Sequence, residues 1–217
     1  MNRASLLGPP TAPKRILALG AHADDIEIGC GGTLLRLIAE QARLDVKWVV
    51  FCSTPERARE AHASAEAYLE GVERKHVVVK EFRDGFLPYA GAAVKEAFEE
   101  LKKEFSPDVV FTHYRDDRYQ DHRLVSELTW NTWRDHLILE YEVPKYDGDF
   151  GAPNVFFDLA EATVQKKIDL LLRHFRTQAE KHWLTGDLLR SVARIRGMEC
   201  VAQERLAEAF YARKVLF

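Results

Sequence analysis

Cysteine is scarce in this chain of 217 residues: Cys30, Cys52 and Cys200 are its only three, widely spaced and odd in number. That pattern argues against a disulfide scaffold, and no Cys-x-x-Cys pair is present. Cys52 ends an apolar run and Cys30 sits among glycines, so both read as small buried thiols. Excess positive charge is lacking too. With 31 basic and 34 acidic residues the formal net charge is -3, which gives no electrostatic case for nucleic acid as a partner. No apolar span of about 18 residues occurs, and Met1 to Lys14 lacks the apolar core of a signal peptide, so no integral membrane segment is expected. A soluble cytoplasmic protein is the default that follows. Internal repeats and low-complexity tracts are also missing. What remains is 47% hydrophobic and 30% charged, enough for a sizeable core under a polar surface.

Strand-like and helix-like stretches alternate. Ile16–Leu19, Val46–Phe51, Val77–Val79, Val109–Thr112 and Leu137–Tyr141 read as strands, and Asn154–Leu159 regains strand character. Helical patterns cover Gly31–Gln41, Pro55–Leu69, Val94–Phe105, Leu124–Arg134, Glu161–His174 and Leu184–Phe210. Ser53-Thr54-Pro55 opens the second of these with a capping residue followed by proline. Such alternation predicts an α/β fold of one domain: a Rossmann-like, mostly parallel sheet with helices on both faces. Residues 1–14, with three prolines, read as a flexible lead-in to a domain over 15–217. Between Val143 and Pro153 the pattern lapses into turn formers with aromatic and acidic side chains, which can line a pocket or simply connect elements.

Ionisable residues are concentrated after two of the strands. The first cluster, Ala21-His22-Ala23-Asp24-Asp25-Ile26-Glu27, follows Ile16–Leu19 and precedes a glycine-rich stretch. One imidazole and three carboxylates crowd the end of a buried strand, where the carboxylates repel one another unless a cation resolves them. A divalent metal is the simplest such cation, and His with carboxylate is a common zinc set that leaves a position for water. Gly29-x-Gly31-Gly32 faintly suggests a dinucleotide turn, but its spacing is wrong and carboxylates would face the pyrophosphate. Asp24 or Asp25 as a helix cap would explain one carboxylate, not the cluster.

The second cluster runs from Thr112 to Arg123 and follows Val109-Val110-Phe111. If the two strands are neighbours, both clusters face one crevice. His122 then joins His22 and Asp25 as a third ligand, and Asp121 orients one imidazole from behind. The rival reading is an exposed helix start with Asp121 as its cap.

Together the clusters resemble the PIG-L/LmbE-like family of zinc-dependent N-deacetylases. Its Ala-His-Pro-Asp-Asp-x-Glu signature matches Ala21–Glu27 with Ala23 in place of proline. Its His-x-Asp-His signature matches Tyr119-Gln120-Asp121-His122 with tyrosine first. Arg83-Asp84-Gly85, Arg57-Ala58-Arg59-Glu60, His174-x-x-x-Gln178, Arg196-Gly197 and Ala207–Phe210 agree further, so the resemblance spans about Arg15 to Phe217. It implies one zinc, or another divalent metal, per chain on His22, Asp25 and His122, with Asp24 as general base. Tyr119 is the chief departure: either its phenol donates to the oxyanion, or His113 supplies the acid from the strand end.

The resemblance also implies a substrate built on N-acetylglucosamine, a small N-acetylated sugar conjugate. Arg57 and Arg83 could bind a phosphate or carboxylate on it, or could pair with Glu60 and Asp84. Trp130 and Trp133 read as core or interface residues, which leaves self-association into a homo-oligomer open. The rivals are another amide or ester hydrolase, a nucleotide-binding oxidoreductase, and a zinc-binding protein without catalysis.

Overall fold

In β1 (Lys14–Gly20) Ile16 and Ala18 turn to one face and Leu17 and Leu19 to the other, and all four are fully buried. A strand covered on both sides requires this pattern. It lies mid-sheet, parallel to β2 (Leu44–Cys52) on one side and β4 (Val109–His113) on the other. β3 (Arg74–Phe82) extends the first side and β5 (Leu137–Tyr141) the second, both in parallel. Two antiparallel strands, β6 (Val155–Asp158) and β7 (Ala207–Tyr211), complete the order β3-β2-β1-β4-β5-β7-β6. The computed structural model describes residues 14–40 and 43–215; the expected lead-in thus lies, through residue 13, outside the described residues.

Four helices, α1 (Asp25–Glu40), α2 (Pro55–Tyr68), α5 (Glu161–His174) and α6 (Gly186–Glu199), pack on the face carrying Ile16 and Ala18. The opposite face takes α3 (Gly91–Glu104) and α4 (Gln120–Thr132), through Phe98, Leu101, Val125 and Trp133. The single α/β domain read from the sequence is therefore the fold observed. Trp133 is buried against Phe98, as a core residue.

Three elements differ from expectation. The helix after β1 begins at Asp25, six residues before Gly31, and so absorbs the glycines. A Cβ on Gly29 would lie 2.1 Å from the Tyr141 ring, and one on Gly32 would lie 2.7 Å from Leu159. These glycines let α1 approach its neighbours closely; they do not form a phosphate turn. The long terminal helix expected over Leu184–Phe210 stops at Glu199, and the chain returns as β7. Helix-forming Ala207-Glu208-Ala209 becomes a strand because it pairs with β6 while Phe210 and Tyr211, next in the chain, pair with β5, and pairing outweighs so weak a preference. Finally, α4 starts at Gln120, which sets His122 in its first turn.

A buried ion pair between α5 and this last strand is hydrogen-bonded on both partners to the backbone of α1. Lys167 Nζ donates to Glu208 Oε1 and to the Ile28 carbonyl, each at 2.6 Å. Glu208 in turn accepts the backbone N–H groups of Gly32 at 2.8 Å and Thr33 at 2.6 Å. Strand order reverses between β1 and β4, and in sheets of this kind the crevice beyond such neighbouring strand ends is where ligands bind.

Candidate functional site

The loops after β1 and β4 meet at that crevice. His22 Nδ1 stands 3.2 Å from His122 Nε2 and 3.4 Å from Asp25 Oδ2, while His122 Nε2 stands 3.5 Å from Asp25 Oδ1. All three residues are buried. Donors that share a tetrahedral ion at ~2.0–2.2 Å are separated by ~3.3–3.6 Å, so this triangle has the dimensions of a zinc-type ligand set. His22, Asp25 and His122 therefore fit a divalent metal.

Each imidazole is oriented from behind, as metal-binding histidines require. His22 Nε2 faces Asp84 Oδ1 at 3.1 Å and Asp121 Oδ2 at 3.3 Å. Asp121 is itself fixed by the N–H groups of Gly85 at 2.7 Å and Leu87 at 3.2 Å. His122 Nδ1 pairs at 2.9 Å with Asp117 Oδ2, which also lies 3.0 Å from Lys145 Nζ. Lys145 further binds Asp149 at 2.5 Å, and Asp149 accepts the Arg118 N–H at 2.8 Å. The segment between β5 and β6 thus reaches the site through a lysine. Burial opposes the ionised form of Asp117, yet His122, His113 and Lys145 outweigh it and hold its pKa down at about 2. Asp25 is likewise held well below the usual carboxylate range: burial opposes, but His122, His113 and His22 prevail.

Asp24 is differently placed. Its Oδ1 forms an ion pair with Arg57 Nη2 at 3.1 Å, while its Oδ2 is buried with no hydrogen-bond partner. Burial pushes its pKa up against the pull of the guanidinium. Thr54 caps α2 by accepting the Arg57 N–H at 3.3 Å, with Pro55 in the first turn, and so delivers Arg57 from the first turn of α2. Arg57 thus pairs with Asp24 rather than Glu60. Arg83 does not pair with Asp84; its guanidinium lies 3.6 Å above the Phe86 ring, and no described carboxylate forms an ion pair with it.

Tyr119 stacks on His22 with ring centroids 5.2 Å apart, and its hydroxyl donates to Asp84 Oδ1 at 2.8 Å. Asp84 is held ionised, with a pKa of about 2, by its bond to His22 despite partial burial. His113 sits elsewhere. It is fully buried beneath the triangle, its ring stacked on His122 at 3.9 Å, its Nε2 accepting the Ala21 N–H at 2.9 Å and standing 3.1 Å from Asp25 Oδ2. Burial and the neighbouring His122 pull its pKa down to about 4, so it is neutral near pH 7. Of these two residues, Tyr119 as oxyanion donor and His113 as acid, only Tyr119 is more than marginally exposed. A cavity of about 460 Å³ adjoins the triangle and is lined by His22, Cys52, Arg57, Arg83 and Asp84 among others.

Asp117 and Lys145 escaped the sequence reading. Asp117 lies in the second cluster, but nothing there marks it off from Asp116, and Lys145 is 28 residues further on with no pattern of its own.

Comparison with known proteins follows the same lines. Residues 17–133 match the sequence profile described as PIG-L, GlcNAc-PI de-N-acetylase. An uncharacterized deacetylase of Escherichia coli (strain K12), YaiS, is 30% identical over 180 residues, covering 79% of this chain and 96% of its own. Among solved structures, the N,N'-diacetylchitobiose deacetylase of Pyrococcus horikoshii superposes with a TM-score of 0.70 at 22% identity, covering 95% of this chain and 88% of its own. GalB of Pseudomonas putida KT2440, a 4-carboxy-2-hydroxymuconate hydratase, superposes with a TM-score of 0.74 at 18% identity, over 94% of this chain and 98% of its own. The likeness to these two structures is one of fold, and this fold carries more than one reaction.

Proposed function

Because the chain belongs to the PIG-L (GlcNAc-PI de-N-acetylase) family, we propose that it hydrolyses the acetamide of an N-acetylglucosamine-type sugar conjugate with the help of one divalent metal, zinc in the first place. The observation that carries this reading is the unpartnered, buried Oδ2 of Asp24 beside the donor triangle. A carboxylate oxygen kept free in that position is what a water-activating base requires.

His22, Asp25 and His122 would hold the metal. When bound, it supplies a Lewis acid for the acetamide carbonyl and makes a water molecule more acidic. Asp24 Oδ2 takes the water proton while Arg57 fixes Oδ1, so the carboxylate cannot rotate away. The water oxygen bonds to the acetyl carbon, the C–N bond breaks, and the proton held by Asp24 passes to the departing nitrogen. Acetate and the free amine are the products. Tyr119 turns its hydroxyl from Asp84 to the oxygen that gains charge in the transition state. Asp121 and Asp117 keep the two imidazoles in the tautomers that leave their inner nitrogens free.

Arg57 and Arg83 line the adjoining cavity and supply positive charge toward the group attached to the sugar. No described helix is long and apolar enough to cross a membrane, which suits a water-soluble conjugate met in the cytoplasm. The test is metal analysis of the purified protein, followed by amine release from a panel of N-acetylglucosaminyl conjugates. Release that needs the metal supports the reading. A metal-loaded protein inert on every amide, but hydrating an unsaturated carboxylate, would replace it with the hydratase chemistry found on the same fold.

A further inference from the structure

The His22 ring has donor atoms on both sides. Its Nδ1 belongs to the triangle described above. Beyond its Nε2 lie Asp84 Oδ1 at 3.1 Å and Asp121 Oδ2 at 3.3 Å. Next to them is Cys52, whose Sγ has the Asp121 Oδ2 at 3.9 Å and the Arg83 carbonyl oxygen at 3.8 Å as its hydrogen-bond partners. Both are acceptors. The sulfur of Cys52, the nitrogen of His22 and the oxygen of Asp121 all lie within 4.8 Å of one another.

The two nearby guanidinium groups are engaged elsewhere: Arg57 with Asp24, and Arg83 over Phe86. The cavity of about 460 Å³ opens onto His22, Cys52 and Asp84, so an ion can reach the cluster from solvent. Nitrogen–oxygen separations of 3.1 and 3.3 Å with a longer sulfur–oxygen separation of 3.9 Å are compatible with one shared ion, whose bonds to sulfur (~2.3 Å) exceed those to nitrogen and oxygen (~2.0–2.2 Å). A thiol in the set selects soft or borderline ions over magnesium and calcium.

We infer that Cys52, Asp121 and the Nε2 of His22, with Asp84 facing them from the cavity, form a second divalent-cation site for a thiophilic ion such as Zn2+, Cd2+ or Co2+. On binding, the Cys52 S–H bond gives way to a sulfur–metal bond and the proton leaves to solvent, as does the Nε2 proton of His22. The two sites share one imidazole, so filling the second strips His22 of the hydrogen bond that orients it. It also draws Asp84 from Tyr119. Occupation of the second site is therefore weaker than that of the first and inhibitory.

The experiment loads the whole protein with one equivalent of Zn2+ and titrates Co2+ into it while recording the near-ultraviolet spectrum. A thiolate-to-cobalt band should grow with the second equivalent, saturate at one Co2+ per chain, and be lost in Cys52→Ser, which keeps its first Zn2+. Cys52→Ala serves should the serine variant fold poorly by circular dichroism. No band in the wild-type titration overturns the site, as does a band that survives in a folded Cys52 variant. The inhibition arm rests on the deacetylase reading, whereas the spectrum does not. Excess Cd2+ should suppress amine release by the wild type at concentrations that the Cys52 variant withstands, each relative to its own uninhibited rate.

Discussion

Lys145 Nζ lies 3.0 Å from Asp117 Oδ2, the same oxygen that His122 Nδ1 meets at 2.9 Å. An otherwise irregular segment is thus coupled to a proposed metal ligand through a single carboxylate. Lys145→Met should weaken zinc binding by about 10–100-fold, the usual cost of losing such outer support, as read by chelator competition. Lys145→Arg should recover part of it. Unchanged affinity in Lys145→Met would reduce the lysine to a tether for its own segment.

Asp24→Asn keeps the size of the side chain but removes the base. Metal content should persist while amine release falls by ~10²–10⁴, the range for one positioned base. Loss of zinc instead would mean that Asp24 and Asp25 have exchanged roles.

Tyr119→Phe should lower the rate by roughly 10²–10³ with KM nearly constant, since the donor bond strengthens only in the transition state. His113→Gln should act otherwise, lowering stability and metal affinity rather than turnover per loaded site. It removes a fully buried ring that accepts the Ala21 N–H and packs on His122. If turnover per loaded site collapses in His113→Gln and survives in Tyr119→Phe, the acid is His113.

Glu27 provides a pH test. It is fully buried, one oxygen accepting the Ser64 hydroxyl at 2.6 Å and the other unpartnered, and burial raises its pKa to about 8. The folded chain therefore binds this proton more tightly than the unfolded chain, whose glutamates titrate at about 4.3. Its contribution is complete below the unfolded value and is lost progressively up to about pH 8. Glu27→Gln mimics the protonated form and lacks this loss. Urea unfolding at matched metal content should show the variant gaining on the wild type as pH rises from about 5 to 8. A gap that narrows instead would show that Glu27 is ionised when folded.

Lys167→Met leaves Glu208 buried without its cation. Stability should drop by about 3–5 kcal/mol, the cost of stranding one partner of a buried pair, measured by urea unfolding. The double variant Lys167→Met/Glu208→Gln should regain much of it. Equal losses in the two would assign the effect to packing instead.

How much of this could be read from residues alone depends on how far apart the cooperating groups lie in the chain. His22, Asp24 and Asp25 are adjacent, and their crowding is visible without a structure. His122 lies 100 residues from His22, yet the parallel-sheet rule brings the ends of neighbouring strands together. No rule of that kind joins Lys145 to Asp117, because irregular chain has no period from which direction can be deduced. The sequence pattern starts α1 too late, at Gly31 instead of Asp25, because what Gly29 and Gly32 do inside a helix is set by Tyr141 and Leu159, more than a hundred residues away. Ala207–Tyr211 misled because its composition favours helix and only its two partner strands decide otherwise.

The position of β7 also sets an order of events during synthesis. β6 hydrogen-bonds in the sheet with β7 and not with β5, which it follows in the chain. As the protein leaves the ribosome, the five parallel strands can assemble as soon as residue 141 has emerged. Residues 155–158 must then wait, with an unsatisfied edge, until residues 207–211 arrive and slide between them and β5. Throughout that interval the middle of α1 lacks the carboxylate that receives its Gly32 and Thr33 amides. The nascent chain thus carries an open sheet edge, of the kind on which other strands can pair, for about 70 residues of translation, several seconds at ordinary elongation rates.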